Sequence, residues 1–559
     1  MKVVIVGGVA GGATFATRLR RLTSKAQIIM LEATGYVSFA NCGLPYYCGD
    51  YIKDKNLLTL MTPEKFQKDF NIDARVNTKA LSIDSIKKTI KIKNLITQQE
   101  YEERYDKLVL STGSTPFLPN IEGLKNNKKV FVVKSLEDAE AIKTYIINEK
   151  PKSVAVIGGG FIGIEMAENT VHQKINTHLI ESSDQVLAML DKEFANAAKQ
   201  ELLSNGVKLH LNSTLTSITN NENNLTLTLK NSNNQENTLD VDFIIAAIGV
   251  KPNTELAETA GIKLGITKGI LVNDYLETSQ KDIYAIGDAI EVTDKITKEK
   301  TLIPLASPAN KQARLLATNF VSQNPKSYQG TLGTSILKVF NQTFAKTGAS
   351  EKTLKRLNIP YLKTYVASNS HASYYGGAKQ IYLKVLFNEN QDILGVQGFG
   401  ELGVDKRIDI FATAISTNTK ITDLTTTEFS YAPPYSSAKD IVNVAAMTAE
   451  NILHKLVNPF YIENLTTLSN NDVIIDVRSK EAYNQSHIAG AINIPLKDLA
   501  NQISNFDTNN QKIILACNKG LTSYLASREL FNLSQTTQLN TNNIYSLVGG
   551  YSLYLLYQN

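Results

Sequence analysis

The sequence predicts an α/β chain with two nucleotide-binding units, an α+β segment and a small α/β domain at its C-terminal end. Three observations carry this reading. A strand–glycine–helix opening occurs twice, as Val3–Val6 followed by Gly7-Gly8-Val9-Ala10-Gly11-Gly12, and as Ser153–Ile157 followed by Gly158-Gly159-Gly160-Phe161-Ile162-Gly163. Strands and helices then alternate from about residue 330 to 446, and a fresh strand–helix pattern starts at Phe460. A length of 559 residues suits about three to four domains.

The glycine openings come first. A glycine turn lets the backbone approach a pyrophosphate, and the helix that follows supplies N–H groups and the positive end of its dipole. Gly158, Gly160 and Gly163 form a full G-x-G-x-x-G; the first opening has Val9 at the middle position but keeps Gly7 and Gly12. An acidic residue is expected about 20 residues on, at the end of the second strand, to hold a ribose. Glu32 and Glu181 stand there. No Arg or Lys lies in Ser182-Ser183-Asp184, where a 2′-phosphate would need one, so NADH is favoured over NADPH. Leu108–Leu110 runs into the small-residue turn Ser111-Thr112-Gly113, and Ile283–Ile286 ends in Gly287-Asp288, whose carboxylate can hold a chain of hydroxyls.

Cys42 lies in Ser38-Phe39-Ala40-Asn41-Cys42-Gly43-Leu44-Pro45, and Cys517 in Cys517-Asn518-Lys519-Gly520-Leu521-Thr522-Ser523. With only three cysteines in the chain, two in such loops point to thiol chemistry, and Cys48 reads as structural. The low, odd count argues against a disulfide scaffold and fits a reducing compartment. A net charge of +5 gives no reason to expect nucleic acid. No apolar run of about 18 residues suggests a membrane span. The chain enters a buried-strand pattern straight after Met1, so no signal peptide is expected, and the cytoplasm is the expected location. No metal site is expected.

These motifs together resemble the two-dinucleotide-domain flavoprotein disulfide reductases. The resemblance implies two Rossmann-like domains: an FAD domain at 1–113 plus 246–325 and an NAD(P)H domain at 114–245. A dimerisation domain at 326–447 and a linker at 448–459 would follow. It places Glu32 on the adenosine ribose of FAD and Asp288 on its ribityl chain. Cofactor contacts are further implied for Gly7, Gly11, Gly12, Ser38, Asn41, Thr112, Gly113, Gly249, Gly287 and Ala306, and, on the NAD side, for Gly158, Gly160, Gly163 and Glu181. Cys42 and Cys48 do not have the C-x-x-x-x-C spacing of the dithiol members, so the single-cysteine branch fits better, with Cys42 as a thiolate facing the flavin. Peroxidases and oxidases of this branch carry a His where Ala10 stands. Coenzyme A disulfide reductases lack it and use tyrosines, and two clusters match: His371-Ala372-Ser373-Tyr374-Tyr375-Gly376 and Tyr431-Ala432-Pro433-Pro434-Tyr435-Ser436. Tyr375 and Tyr431 are the candidates, with Tyr374 and Tyr435 alongside, contributed by the partner subunit of a homodimer. Arg18, Arg20 and Arg21 offer cations for the phosphates of coenzyme A, or a solvated basic face.

Asp476-Val477-Arg478, His487–Pro495, the Cys517 loop and Val548-Gly549-Gly550-Tyr551 resemble a rhodanese domain at 460–559. Many rhodaneses carry Arg five residues after the cysteine, where this chain has Thr522. That departure weighs against thiosulfate as donor, and Lys519 could substitute in part. The resemblance implies reduction of coenzyme A disulfide, coenzyme A persulfide or polysulfide by NAD(P)H through Cys42, with Cys517 carrying sulfane sulfur. The alternatives are an NADH peroxidase or oxidase using a Cys42 sulfenate, and a flavin-based redox sensor.

Overall fold

The computed structural model describes residues 1–558. It divides into two compact units, Met1–Asp184 with Leu202–Gly333, and Gln185–Glu201 with Thr334–Asn559. Residues 185–201, expected inside the second nucleotide domain, therefore group with the second unit.

The first unit holds two parallel five-stranded sheets. In one, Lys2–Val6 lies between Gln27–Leu31 and Lys107–Leu110, with Ile283–Ala285 and Asp73–Arg75 at the edges. In the other, Ser153–Ile157 lies between Asn176–Ile180 and Phe243–Ala246, with Lys208–His210 and Val130–Phe131 outside. Both central strands read as unbroken apolar runs because both faces are covered; Val3, Val4 and Ile5 are fully buried. The helices Ala10–Leu22 and Phe161–His172 leave these strands where the glycine openings predict. A short antiparallel pair, Ser114–Pro116 with Val250–Pro252, carries the chain out of and back into the first sheet's domain.

The second unit carries an antiparallel five-stranded sheet, in the order Ser335–Val339, Gln342–Gly348, Ile393–Gly400, Gln380–Phe387, Leu362–Asn369. Its C-terminal part is a parallel sheet whose middle strands are Ile544–Leu547, Ile513–Ala516 and Val473–Asp476. The stretch 448–459, expected as a helix-like linker, opens inside a helix. Asp440 caps the helix Ile441–Leu453 with a capping box to Asn443, so residues 448–453 are the last turns of a helix already under way. Pro459–Phe460 already pairs with Ile544–Leu547.

Candidate active site

The two nucleotide loops repeat one design. A Cβ on Gly12 would lie 1.8 Å from the carbonyl oxygen of Gly7, and a Cβ on Gly163 would lie 1.8 Å from that of Gly158, so each helix can start against its own strand only with glycine. Glu32 Oε2 accepts from Gly8 N at 2.8 Å and Oε1 from Thr34 N at 2.9 Å. Glu181 Oε2 accepts from Gly159 N at 2.7 Å and Oε1 from Ser183 N at 2.8 Å. Burial opposes the charge on Glu181, but the amides of Ser183 and Gly159 and the neighbouring hydroxyls outweigh it and hold the carboxyl below its usual range. Gly160 and Gly249 have open space where a Cβ would stand, which leaves room for a ligand to reach the backbone.

The remaining first-unit candidates cluster on the first loop. Gly11 packs on the Ser111 hydroxyl. Ser38 adopts a left-handed backbone at φ 49° and donates its N–H to Gly8 O at 2.8 Å. Thr112 Oγ1 donates to Asn253 O at 2.7 Å, and Gly113 turns the chain at φ 68°. Asp288 follows Gly287 and accepts from Ser114 Oγ at 3.0 Å, with Lys134 Nζ 3.7 Å away. Ala306 opens a helix to Asn319 whose first turn has no side-chain cap. Asn41 Oδ1 is buried and finds no partner among the described residues. Narrow glycine turns, two carboxylates fixed by amides, and an orphaned acceptor beside Cys42 fit a pair of dinucleotides.

Cys42 sits in the single turn Asn41–Gly43, ahead of the helix Leu44–Cys48. The residue is exposed, yet partial burial of the thiol raises its pKa, and the carboxylates of Glu165 and Asp288 add to the rise. The thiolate character expected of Cys42 is thus opposed by the chain's own charges. Glu165 was not read from the sequence. It lies on the helix Phe161–His172, one turn before Asn169, which fills the space beside Gly49, and two turns before His172, which stacks on Tyr51 at 4.2 Å. That stripe faces the segment running on from Cys42. Burial, then Glu168, push the Glu165 carboxyl up to about 7. Cys48 is buried, and burial pushes its thiol up to about 12, in keeping with an inert role.

A cavity of about 430 Å³ opens beside the first helix, lined by Thr14, Arg18, Arg21, Asn310, Lys311 and Arg314 among others. Arg18 Nε is buried, without an acceptor among the described residues. Arg20 is not part of it: its guanidinium donates to the carbonyls of Phe70, Ser24 and Asn71 at 2.7, 2.9 and 2.8 Å. The sequence offered the first-helix arginines as phosphate cations; Lys311 and Arg314 join them from the helix starting at Ala306.

In the second unit the two tyrosine clusters meet. Tyr374 and Tyr431 share a hydrogen bond between hydroxyls at 2.9 Å, and both rings are exposed. Tyr375 packs edge-on against His371 at 5.9 Å. The hydroxyl that meets Tyr431 is thus that of Tyr374, which the sequence offered alongside Tyr375. Cys517 is only 2% exposed; its Sγ accepts from Gly520 N at 3.1 Å and lies 3.5 Å from Ser523 Oγ. Gly520 makes this possible at φ 100°. Asp191, Glu193 and Glu351 come together as a buried trio, and Lys384 Nζ sits among them at 2.8, 2.7 and 2.6 Å.

Comparison with known proteins agrees with this architecture. Residues 1–313 match the family model described as pyridine nucleotide-disulphide oxidoreductase, residues 334–441 that family's dimerisation domain, and residues 462–556 a rhodanese-like domain. The chain is 34% identical over 450 residues to a coenzyme A disulfide reductase of Staphylococcus aureus, covering 80% of this chain and 100% of that one. The reduced CoADR-RHD of Bacillus anthracis superposes with a TM-score of 0.95 at 42% identity, covering 100% of this chain and 98% of that one. A NAD-dependent persulfide reductase from A. fulgidus gives a TM-score of 0.90 at 34% identity, covering 99% and 100%. The chain belongs to the pyridine nucleotide-disulphide oxidoreductase family and carries a rhodanese-like domain at its C-terminal end.

Proposed function

We propose that this oxidoreductase uses NADH to reduce coenzyme A disulfide, coenzyme A persulfide or polysulfide at Cys42, as a homodimer in the cytoplasm. The observation that carries the coenzyme A assignment is the cation-lined cavity beside the first helix. Arg18, Arg21, Lys311 and Arg314 supply four positive charges, and Arg18 Nε is an unmatched buried donor. An unpaired donor of this kind favours a charged acceptor such as a phosphate. Similarity to the coenzyme A disulfide reductase and the persulfide reductase supports the same reading.

Glu32, Gly7, Gly12, Gly113 and Asp288 would hold FAD; Gly158, Gly160, Gly163 and Glu181 would hold NADH. Glu181 repels a 2′-phosphate, which favours NADH. FAD, when bound, supplies the two-electron link between nicotinamide and sulfur. The chain's own residues do the rest. The Cys42 thiolate attacks one sulfur of the substrate, forming a new S–S bond while the old one breaks. The departing thiolate takes a proton from the Tyr374–Tyr431 pair. Two electrons then break the S–S bond left on Cys42, restoring its thiolate and releasing the second thiol, or sulfide, which takes up a proton. Over the cycle one disulfide, one NADH and one proton give two thiols and NAD⁺; a persulfide gives one thiol and hydrogen sulfide. Cys517, held by the Gly520 N–H, serves as a carrier of sulfane sulfur.

Anaerobic NADH oxidation by the FAD-loaded protein tests this, with coenzyme A persulfide, coenzyme A disulfide and hydrogen peroxide in parallel, repeated with Cys42→Ser. Turnover with either sulfur substrate that disappears in the variant supports the reading. Fast turnover with peroxide alone would make the chain a peroxidase, and only a few equivalents of NADH consumed would make it a sensor.

A further inference from the structure

The Cys517 loop makes one contact that this mechanism does not use. From behind, the helix Gly550–Gln558 holds the loop: Tyr551 N donates to Cys517 O at 2.8 Å and Ser552 N to Asn518 O at 3.0 Å. On its other side, Lys519 Nζ donates to Oε1 of Gln380, the first residue of the strand Gln380–Phe387. The Gln380 amide is itself fixed, because its Nε2 donates to Ser368 O at 2.6 Å. Its oxygen therefore faces Lys519. Among the described residues no carboxylate pairs with Lys519, and burial pushes its ammonium below the usual lysine range.

The other cation near the thiol is engaged as well. Arg478 Nε and Nη2 bind Asp476 at 3.0 and 2.7 Å, Nη2 also donates to Ser486 O at 2.7 Å, and the guanidinium lies over the Tyr551 ring at 4.7 Å. Thr522 stands five residues after the cysteine. The sulfur thus faces a backbone N–H and a hydroxyl, while both nearby cations are turned to other partners.

We propose that Gln380 sets the donor class of Cys517: by holding Lys519 away from the thiol, it leaves a loop that accepts sulfur from thiol persulfides and rejects thiosulfate. This rests on the carrier reading of Cys517. In either transfer the Cys517 thiolate attacks the outer sulfur of the donor, the donor's S–S bond breaks, and a thiolate or a sulfite leaves with the electron pair. Cyanide then removes the outer sulfur as thiocyanate and restores the thiolate. The donors differ in charge. A persulfide anion carries one negative charge, whereas thiosulfate carries two and needs a cation as it approaches a thiolate.

The test is thiocyanate formation by full-length, FAD-loaded protein, with thiosulfate or the persulfide of an uncharged thiol as donor. The proteins compared are wild type, Gln380→Ala, Gln380→Ala with Lys519→Met, and Cys517→Ser. Freed Lys519 gains a charge-assisted contact with thiosulfate, so Gln380→Ala raises kcat/KM for thiosulfate by about tenfold or more. Persulfide transfer stays near the wild-type value, which also reports that the domain is folded, and adding Lys519→Met returns thiosulfate to its starting rate. Gln380→Asn, which shortens the acceptor without emptying its site, gives the same gain. The inference is overturned if wild type uses both donors equally, if neither Gln380 variant changes thiosulfate use, or if the gain survives Lys519→Met. Transfer that is identical in Cys517→Ser would instead remove the carrier reading and the inference with it.

Discussion

Replacing Lys384 with Met should loosen the whole second unit. Lys384 is 1% exposed, and its ammonium lies 2.8 Å from Asp191, 2.7 Å from Glu193 and 2.6 Å from Glu351. Methionine fills similar volume but leaves three buried carboxylates. Partners remain for each: Gln397 Nε2 at 2.7 Å for Asp191, Tyr365 OH at 2.7 Å for Glu193 and Lys363 Nζ at 2.8 Å for Glu351. Only the last is charged. Removing one partner of a buried ionic cluster costs about 3–5 kcal/mol. Hydrogen exchange of the strands Gln380–Phe387 and Ile393–Gly400 reads this directly, since protection there follows the free energy of opening. Exchange at pH 7 should rise by roughly 10² to 10⁴-fold relative to wild type. The pH dependence has a definite sign. In the wild type, burial opposes the charge on Glu351, and Lys384 and Lys363 outweigh it, holding the carboxyl far below its usual range. Without Lys384 the Glu351 carboxylate binds a proton more readily, so the difference from wild type shrinks as pH falls from 7 towards 5. A change of less than about tenfold at pH 7, or a difference that grows on acidification, would refute the assignment of Lys384 as the charge that makes this cluster tolerable.

Three further outcomes follow from the site. Glu165→Gln removes a charge that raises the Cys42 pKa, so alkylation of Cys42 in the holoenzyme, followed by mass spectrometry, should proceed at lower pH in the variant, by about one pH unit. The two proteins should agree below about pH 7, where Glu165 of the wild type is protonated and as neutral as the glutamine. Tyr374→Phe should lower kcat with a disulfide substrate by about 10²-fold if the tyrosine pair delivers the proton, whereas Tyr375→Phe should leave it nearly unchanged. Arg18→Ala or Arg314→Ala should raise KM for coenzyme A disulfide by roughly 10- to 100-fold with little effect on kcat, because a lost phosphate contact removes binding shared by ground and transition states.

Much of this molecule is legible in its sequence, for local reasons. Glycine turns, the acidic residue ending the next strand, and the buried apolar runs depend on backbone geometry and on periods of two and 3.6 residues. Glu32 and Glu181 could be named because each lies at a fixed distance along one βαβ unit. What escaped depends on which elements pack together. Glu165 gains its meaning only when its helix lies against the segment after Cys42; the stripe Glu165, Asn169, His172 is its one sequence trace. Lys384 sits in Tyr382-Leu383-Lys384-Val385, where an isolated lysine reads as solvent-facing, and the carboxylates that bury it come from the chain at 185–201 and from Glu351. Tyr374 and Tyr375 are neighbours, and the turn Ser373–Tyr375 decides which hydroxyl meets Tyr431. The helix that runs into residues 448–453 has a readable start, since Asp440 and Asn443 form a capping box upstream.

The central claim is that Cys42 is the nucleophile that takes the substrate's sulfur. Mass spectrometry of the FAD-loaded protein after incubation with coenzyme A disulfide, without NADH, tests it most directly. The account predicts one coenzyme A in mixed disulfide per chain, on the peptide carrying Cys42, released when NADH is added and absent in Cys42→Ser. An adduct confined to Cys517, or steady NADH oxidation by Cys42→Ser with the same substrate, would contradict it.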